Sequence, residues 1–134
     1  MITVISRWEF GWLDPSVEAF MWKQLTKAYK VDQVIFAPTR LENRLFPIQK
    51  DSIEEAIASA QGKKVFLIPG EGNDLASFEH PDDAVYIFGN AMNGNQQEAE
   101  GEIQVQINTP APIDFFAINA AAIVLYDRRV KDVS

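Results

Sequence analysis

The chain has 134 residues, 47% hydrophobic and 23% charged, with a formal net charge of −7. That length and balance fit one globular domain, residues 1–134, rather than a disordered chain, and no apolar run reaches the length of a membrane-spanning helix. Cysteine is absent, which removes disulfides and thiolate metal sites and fits a cytoplasmic protein, while the acidic balance argues against nucleic-acid binding by the whole surface but leaves room for a local basic patch.

In chain order, residues 2–6 read as a short apolar strand, and the start MITVISRWEF has no basic region of the kind that opens a secretory signal. RWEFGWL follows, with Trp8, Phe10 and Trp12 on one parity. Those rings suit either a platform for stacking RNA bases or an extended segment that buries them in the core or in a subunit contact. Asp14-Pro15 is a helix start, an N-cap followed by proline at the first helical position. Val17, Phe20, Met21, Leu25 and Ala28 recur at helical spacing and predict its inner face, with Glu18, Lys23, Lys27 and Lys30 pointing elsewhere. Residues 33–37 (QVIFA) are the next buried strand, so a β-α-β unit is already visible.

PTRLENRLFPIQK, residues 38–50, is a loop carrying Arg40, Arg44 and Lys50. Two arginines can clamp phosphate in bidentate fashion, or simply sit solvated on a surface loop. Ser52 with Glu55 forms a capping box for a short helix whose inner face is Ile53, Ala56, Ile57 and Ala60. Residues 65–68 predict a third strand, followed by the loop PGEGND, whose GxG is too short a pattern for a phosphate cradle. His80, the only histidine, lies in FEHPDD and reads as a surface turn residue, with a general base or a metal site as the rival reading.

The most informative stretch is residues 84–126. Residues 85–88 are a continuous apolar run closing on Gly89, and residues 90–94 are rich in turn formers that let backbone approach a ligand. Ile103, Val105 and Ile107 alternate with glutamines as another strand. From Asp114, a fitting N-cap, residues 115–126 are polar almost only at Asn119, which predicts a helix over 114–129 buried on nearly every face and a homodimer to cover it. The element order gives an α/β fold with a mainly parallel sheet, and in such sheets ligands sit beyond the carboxyl ends of the strands. Three such ends meet loops of glycine, asparagine or proline, after Ile68, Phe88 and Ile107.

Two segments carry a family resemblance. Phe88, Gly89 and Gly94 match a strand closing on Phe-Gly with a second glycine five residues later, and Asn119, Ala120, Tyr126 and Asp127 match a helix of the form Asn-Ala-x5-Tyr-acidic. In this order, at the chain end, they resemble the SpoU-like branch of the SPOUT RNA methyltransferases. The resemblance implies a parallel sheet flanked by helices with a C-terminal trefoil knot, a homodimer, and S-adenosylmethionine held by the three knot loops. By motif position the cofactor residues would be Ile68, Pro69, Gly89, Asn90, Ile107, Thr109 and Asp114, and the RNA-binding residues Arg40 and Arg44. The catalytic positions depart from the family pattern. Ala91 stands where the family has glutamate, and Asp114 and Phe116 stand where it has serine and asparagine. The first-motif arginine has Arg7 as its best substitute, and Asn119 keeps the later asparagine. Both carry rival readings, Arg7 as a solvated surface arginine and Asn119 as a side chain that satisfies a buried polar contact. The resemblance therefore implies a tRNA or rRNA ribose 2′-O-methyltransferase. A catalytically degenerate knotted dimer that binds cofactor or RNA, and an unrelated small α/β enzyme binding a nucleotide at the same strand ends, remain open beside it.

Overall fold

The computed structural model describes residues 1–8, 14–39, 48–89, 98–111, 113 and 115–131. In chain order the elements are β1 (Ile2–Arg7), α1 (Pro15–Ala28), β2 (Gln33–Ala37), α2 (Ile53–Ser59), β3 (Lys63–Leu67), β4 (Asn73–Asp74), a 3-10 turn (Leu75–Ser77), β5 (Ala84–Phe88), β6 (Ile103–Gln106) and α3 (Ala117–Lys131). The strands form a single sheet in the order β2-β1-β5-β3-β6-β4. Every neighbouring pair is parallel, so the α/β expectation is met. The two-residue strand β4 escaped the sequence reading. It forms because Gly72, at φ +86°, brings the chain so close to β6 that any Cβ there would collide with the carbonyl oxygen of Gln104.

Strand side chains alternate faces, and the sheet therefore builds two cores. Val4, Val65, Leu67, Tyr86, Phe88 and Val105 face α1 and α3. Ile5, Ile35, Phe66, Ile68, Val85 and Ile87 face α2, where Ala99 joins them. Trp8 is fully buried and stacks on Phe36 at 4.4 Å between ring centroids, with its Nε1 donating to the Pro38 carbonyl over 2.9 Å. The core reading thus holds for Trp8, while Phe10 and Trp12 lie outside the described residues.

The caps follow the sequence. Asp14 accepts from the Ser16 amide and Ser52 from the Glu55 amide, while the Glu55 carboxylate reaches back to the Asp51 amide rather than to the cap residue itself. Ile53, Ala56 and Ala60 are buried against the sheet as expected. At the end of α2, Lys64 Nζ donates to the Ala60 and Gly62 carbonyls, so this lysine does serve the helix C-terminus.

Two helix expectations need correction. On α1 the buried residues are Glu18, Ala19 and Trp22. Met21 and Leu25 pack at the margin, but Val17 and Phe20 stand 51% and 67% exposed, and Ala28 is exposed too. Trp22 decides this rotation, because its ring sets edge-on to Phe36 at 5.4 Å and that places Val17 and Phe20 outward. The helix α3 runs over 117–131 rather than 114–129 and is buried on one face only. Ala117, Ile118, Ala121, Val124 and Leu125 are inside, whereas Tyr126 and Val130 are 60% and 64% exposed. One side of α3 lies against α1, β5 and the 3-10 turn, and a helix on a sheet surface can cover no more than that side within one chain.

Candidate functional site at the carboxyl rim of the sheet

The strands β5, β3 and β6 are immediate neighbours in the sheet although β3 precedes the other two in the chain. Their carboxyl ends therefore open side by side. The register pairs Phe66 with Ile87 and Leu67 with Val105, so Gly89, Ile68 and Gln106 continue the three strands at one level. Ser6 pairs with Phe88, which sets Arg7 beside Gly89 on the next strand. The three expected strand ends thus meet along one rim, with a cation at its β1 side.

The rim is built largely of backbone. Ile68 is buried and its amide donates to the Val105 carbonyl over 2.9 Å, which ties the end of β3 to β6. Pro69 and Gly70 then emerge into solvent. Gly70 sits at φ +75° with nothing within 4 Å of where a Cβ would stand, an open position beside the strand ends. Ile107 and Gly89 are half-buried. The Thr109 hydroxyl donates to the Ala111 carbonyl over 2.6 Å, closing a turn, so this residue offers main chain rather than its side chain. Ile68 is buried in the core that faces α2, whereas Ile107 packs against the opposite core, so what the rim offers between them is main chain.

Other expected residues fall differently. Asn90, Asp114, Arg40 and Arg44 lie outside the described residues, as do Ala91 and Gly94. Arg7 is neither solvated nor isolated, since its Nη2 donates to Glu98 Oε1 over 2.8 Å and its side chain is 22% exposed. Asn119 sits exposed in the first turn of α3. The reading of Asn119 as a side chain that satisfies a buried polar contact is therefore corrected. No hydrogen bond among the described residues joins Arg7 to Asn119.

The sequence reading missed a second polar cluster, between the segment that leads into β5 and the end of α3. His80 is buried rather than on a surface turn, with its Nδ1 2.7 Å from the Tyr86 hydroxyl and its Nε2 2.7 Å from Asp127 Oδ2. Arg128 Nη1 donates to the same hydroxyl and to the Pro81 carbonyl, and Nη2 to the Asp82 carbonyl. Lys131 Nζ pairs with Asp127 and donates to the Leu75 and Phe78 carbonyls. Burial raises the Tyr86 pKa despite the neighbouring guanidinium, so the hydroxyl keeps its proton and donates it to Nδ1. Nε2 therefore carries the imidazole proton and gives it to Asp127. Burial also lowers the His80 pKa, outweighing the pull of Asp127 in the other direction. These contacts clamp the end of α3 to the segment ahead of β5. A signal existed in the sequence, because a tyrosine inside the buried run AVYIF needs a partner for its hydroxyl. Among the described residues no group of three or more histidine, aspartate or glutamate side chains gathers as a metal site, and no helix is long and apolar enough to cross a membrane.

No family model matches the chain, and no curated protein does. Solved structures do. A protein from a study of 2-OH methylation of C/U34 on tRNA superposes with a TM-score of 0.73 at 12% identity, covering 98% of this chain and 97% of that one. The SpoU methyltransferase AviRb from Streptomyces viridochromogenes, solved with AdoMet, gives 0.74 at 15% identity, covering 100% and 58%. An AdoMet-bound rRNA methyltransferase from Sinorhizobium meliloti gives 0.68 at 14% identity, covering 99% and 56%. The chain thus spans somewhat over half the length of the last two and nearly all of the first. At such identities the likeness is one of fold, and the fold is the SpoU-like one that the two motifs implied.

Proposed function

We propose that this chain is an S-adenosylmethionine-dependent RNA methyltransferase that acts on a ribose 2′-hydroxyl of tRNA or rRNA in the cytoplasm. The observation that carries this reading is the rim itself, where the carboxyl ends of β5, β3 and β6 stand side by side. Support comes from the fold shared with methyltransferases solved with AdoMet and with a protein studied for 2-OH methylation of tRNA. The bound cofactor supplies an electrophilic methyl group on a sulfonium. Ile68, Pro69, Gly89, Asn90, Ile107, Thr109 and Asp114 hold it, chiefly through main-chain groups. Arg7 orients an RNA oxygen beside the methyl group, and Arg40 and Arg44 bind RNA phosphates.

The reading includes a C-terminal trefoil knot and a homodimer. The dimer rests on the apolar side chains of Val17 and Phe20 on α1 and Ile123, Tyr126 and Val130 on α3, which the single chain leaves exposed on two helices in mutual contact. Titration calorimetry with S-adenosylmethionine, followed by methyl transfer to bulk tRNA and rRNA, tests the proposal. Binding that Gly89→Val abolishes, with transfer to one of the RNA pools, supports it. No heat at millimolar cofactor ends it. Tight binding without transfer favours the degenerate, binding-only dimer, a reading to which the neutralisation of Arg7 by Glu98 lends weight.

A further inference from the structure

The guanidinium of Arg7 is held rather than free, and the way it is held is unusual for a rim residue. Arg7 ends β1 level with Gly89, and with strands about 4.8 Å apart its backbone stands some 10 Å from Ile68 across β5. Its partner Glu98 comes from 91 residues further along the chain. Glu98 is itself anchored, because the next residue, Ala99, is fully buried in the core under α2. The Ala99 carbonyl also accepts Gln104 Nε2 over 2.9 Å, and the Glu102 amide over 2.9 Å. The carboxylate therefore projects from a fixed point, and with side-chain exposures of 22% and 16% the pair is shielded from water. Such a pair sets geometry more firmly than a solvated one.

The contact is also incomplete. Among the described residues Arg7 bonds to Glu98 through Nη2, and its buried Nε has no hydrogen-bond partner. A guanidinium has five N–H donors, so a one-point carboxylate contact tethers Nη2 and leaves Nη donors for another oxygen ligand, while Nε stays buried. We propose that Glu98 is a positioning residue that orients Arg7 so that its remaining donors bind a phosphodiester or ribose oxygen of RNA at the carboxyl rim. The inference rests on the methyltransferase reading above. It assigns a role to Glu98, a residue that neither motif includes.

The variants Arg7→Ala, Glu98→Ala, Glu98→Gln and the double Arg7→Ala/Glu98→Ala decide it. Turnover on bulk tRNA, cofactor affinity by calorimetry, tRNA affinity by fluorescence anisotropy and thermal melting are measured for each. A misplaced group near the reacting atoms costs roughly tenfold to a hundredfold in rate, and Glu98→Ala is expected in that range with cofactor affinity and melting temperature unchanged. Glu98→Gln keeps an oxygen that accepts from Nη2 and should recover most of the loss. The double variant should be no worse than Arg7→Ala, because Glu98 acts only through Arg7. tRNA affinity should fall in Arg7→Ala and Glu98→Ala alike. Additive losses would overturn the proposal. So would a parallel fall in melting temperature and cofactor affinity, which marks a purely structural pair. Wild-type protein that neither binds cofactor nor engages tRNA removes the methyltransferase reading and this inference together. An active wild type matched by Glu98→Ala removes the inference alone.

Discussion

His80 Nε2 donates its proton to Asp127 Oδ2 over 2.7 Å, linking the segment before β5 to the last turns of α3 across 47 residues of chain. Its other ring nitrogen accepts from the Tyr86 hydroxyl, which in turn accepts from Arg128. Burial in this setting disfavours a second ring proton, and the neutral imidazole serves both neighbours by accepting at Nδ1 and donating at Nε2. The consequence is an acid-sensitive clamp.

The folded pKa of His80 lies below its ordinary value of 6.5 because the ring is buried. Below that pH the unfolded chain takes up a proton that the folded chain resists, so stability is complete above about pH 6.5 and declines as pH falls beneath it. As this is the only histidine, melting temperatures between pH 8 and pH 5.5 isolate it. Wild-type protein should lose stability over the acidic part of that window, and His80→Gln should flatten the dependence. An equal acid loss in the variant would contradict the assignment.

Tyr86→Phe removes the hydroxyl that serves both His80 Nδ1 and Arg128 Nη1. Leaving buried polar groups unpaired costs about 1–3 kcal/mol. Urea denaturation should show a loss in that range, partly offset where Arg128 keeps its bonds to the Pro81 and Asp82 carbonyls.

Lys30 follows α1 at φ +53°. The Val31 amide bonds to the Thr26 carbonyl and the Lys30 amide to the Lys27 carbonyl, a pairing that places Lys30 where helices usually end on glycine. Lys30→Gly relieves the left-handed strain and loses some of that gain to greater freedom in the unfolded chain. A net stabilisation of about 0.5–1 kcal/mol should appear in denaturant titration.

Gly72→Ala inserts a methyl group against the Gln104 backbone at φ +86°. Strain of this kind costs on the order of 1–3 kcal/mol, and the strand pairing of Asn73 with Val105 should weaken. Hydrogen exchange at Asp74 and its neighbours should quicken while the centre of the sheet stays protected. Unchanged exchange there would show that the loop shifts freely.

Phe20→Glu places a charge at the most exposed of the large apolar side chains on α1 and α3. Burying a side chain of that size is worth about 1.5–3 kcal/mol. If the exposed faces of these helices pair two copies, light scattering should give a dimer for wild type and a monomer for the variant. A wild-type monomer at micromolar concentration would refute the assembly.

Hydrophobic period and turn chemistry, both local, were enough to read the elements from the sequence apart from β4 and the 3-10 turn. Val85 to Phe88 closing on glycine, the caps at Asp14 and Ser52, and the alternation at Ile103 and Val105 each specify an element within a few residues. The three rim loops were legible for the same reason, because Ile68, Gly89 and Ile107 each end a strand at a turn former. What the sequence could not set is which face of a helix turns inward when two apolar stripes compete. Trp22 against Phe36 settled that for α1, and the contacts of α3 with α1 and β5 settled it for α3. The partners of His80 and Arg7 were equally out of reach. Asp127 and Glu98 lie 47 and 91 residues away, and only the parallel order that inserts β5 between β1 and β3 brings them within bonding distance. Periodicity carries short-range information, whereas polar partnership across the chain depends on the topology that folding selects.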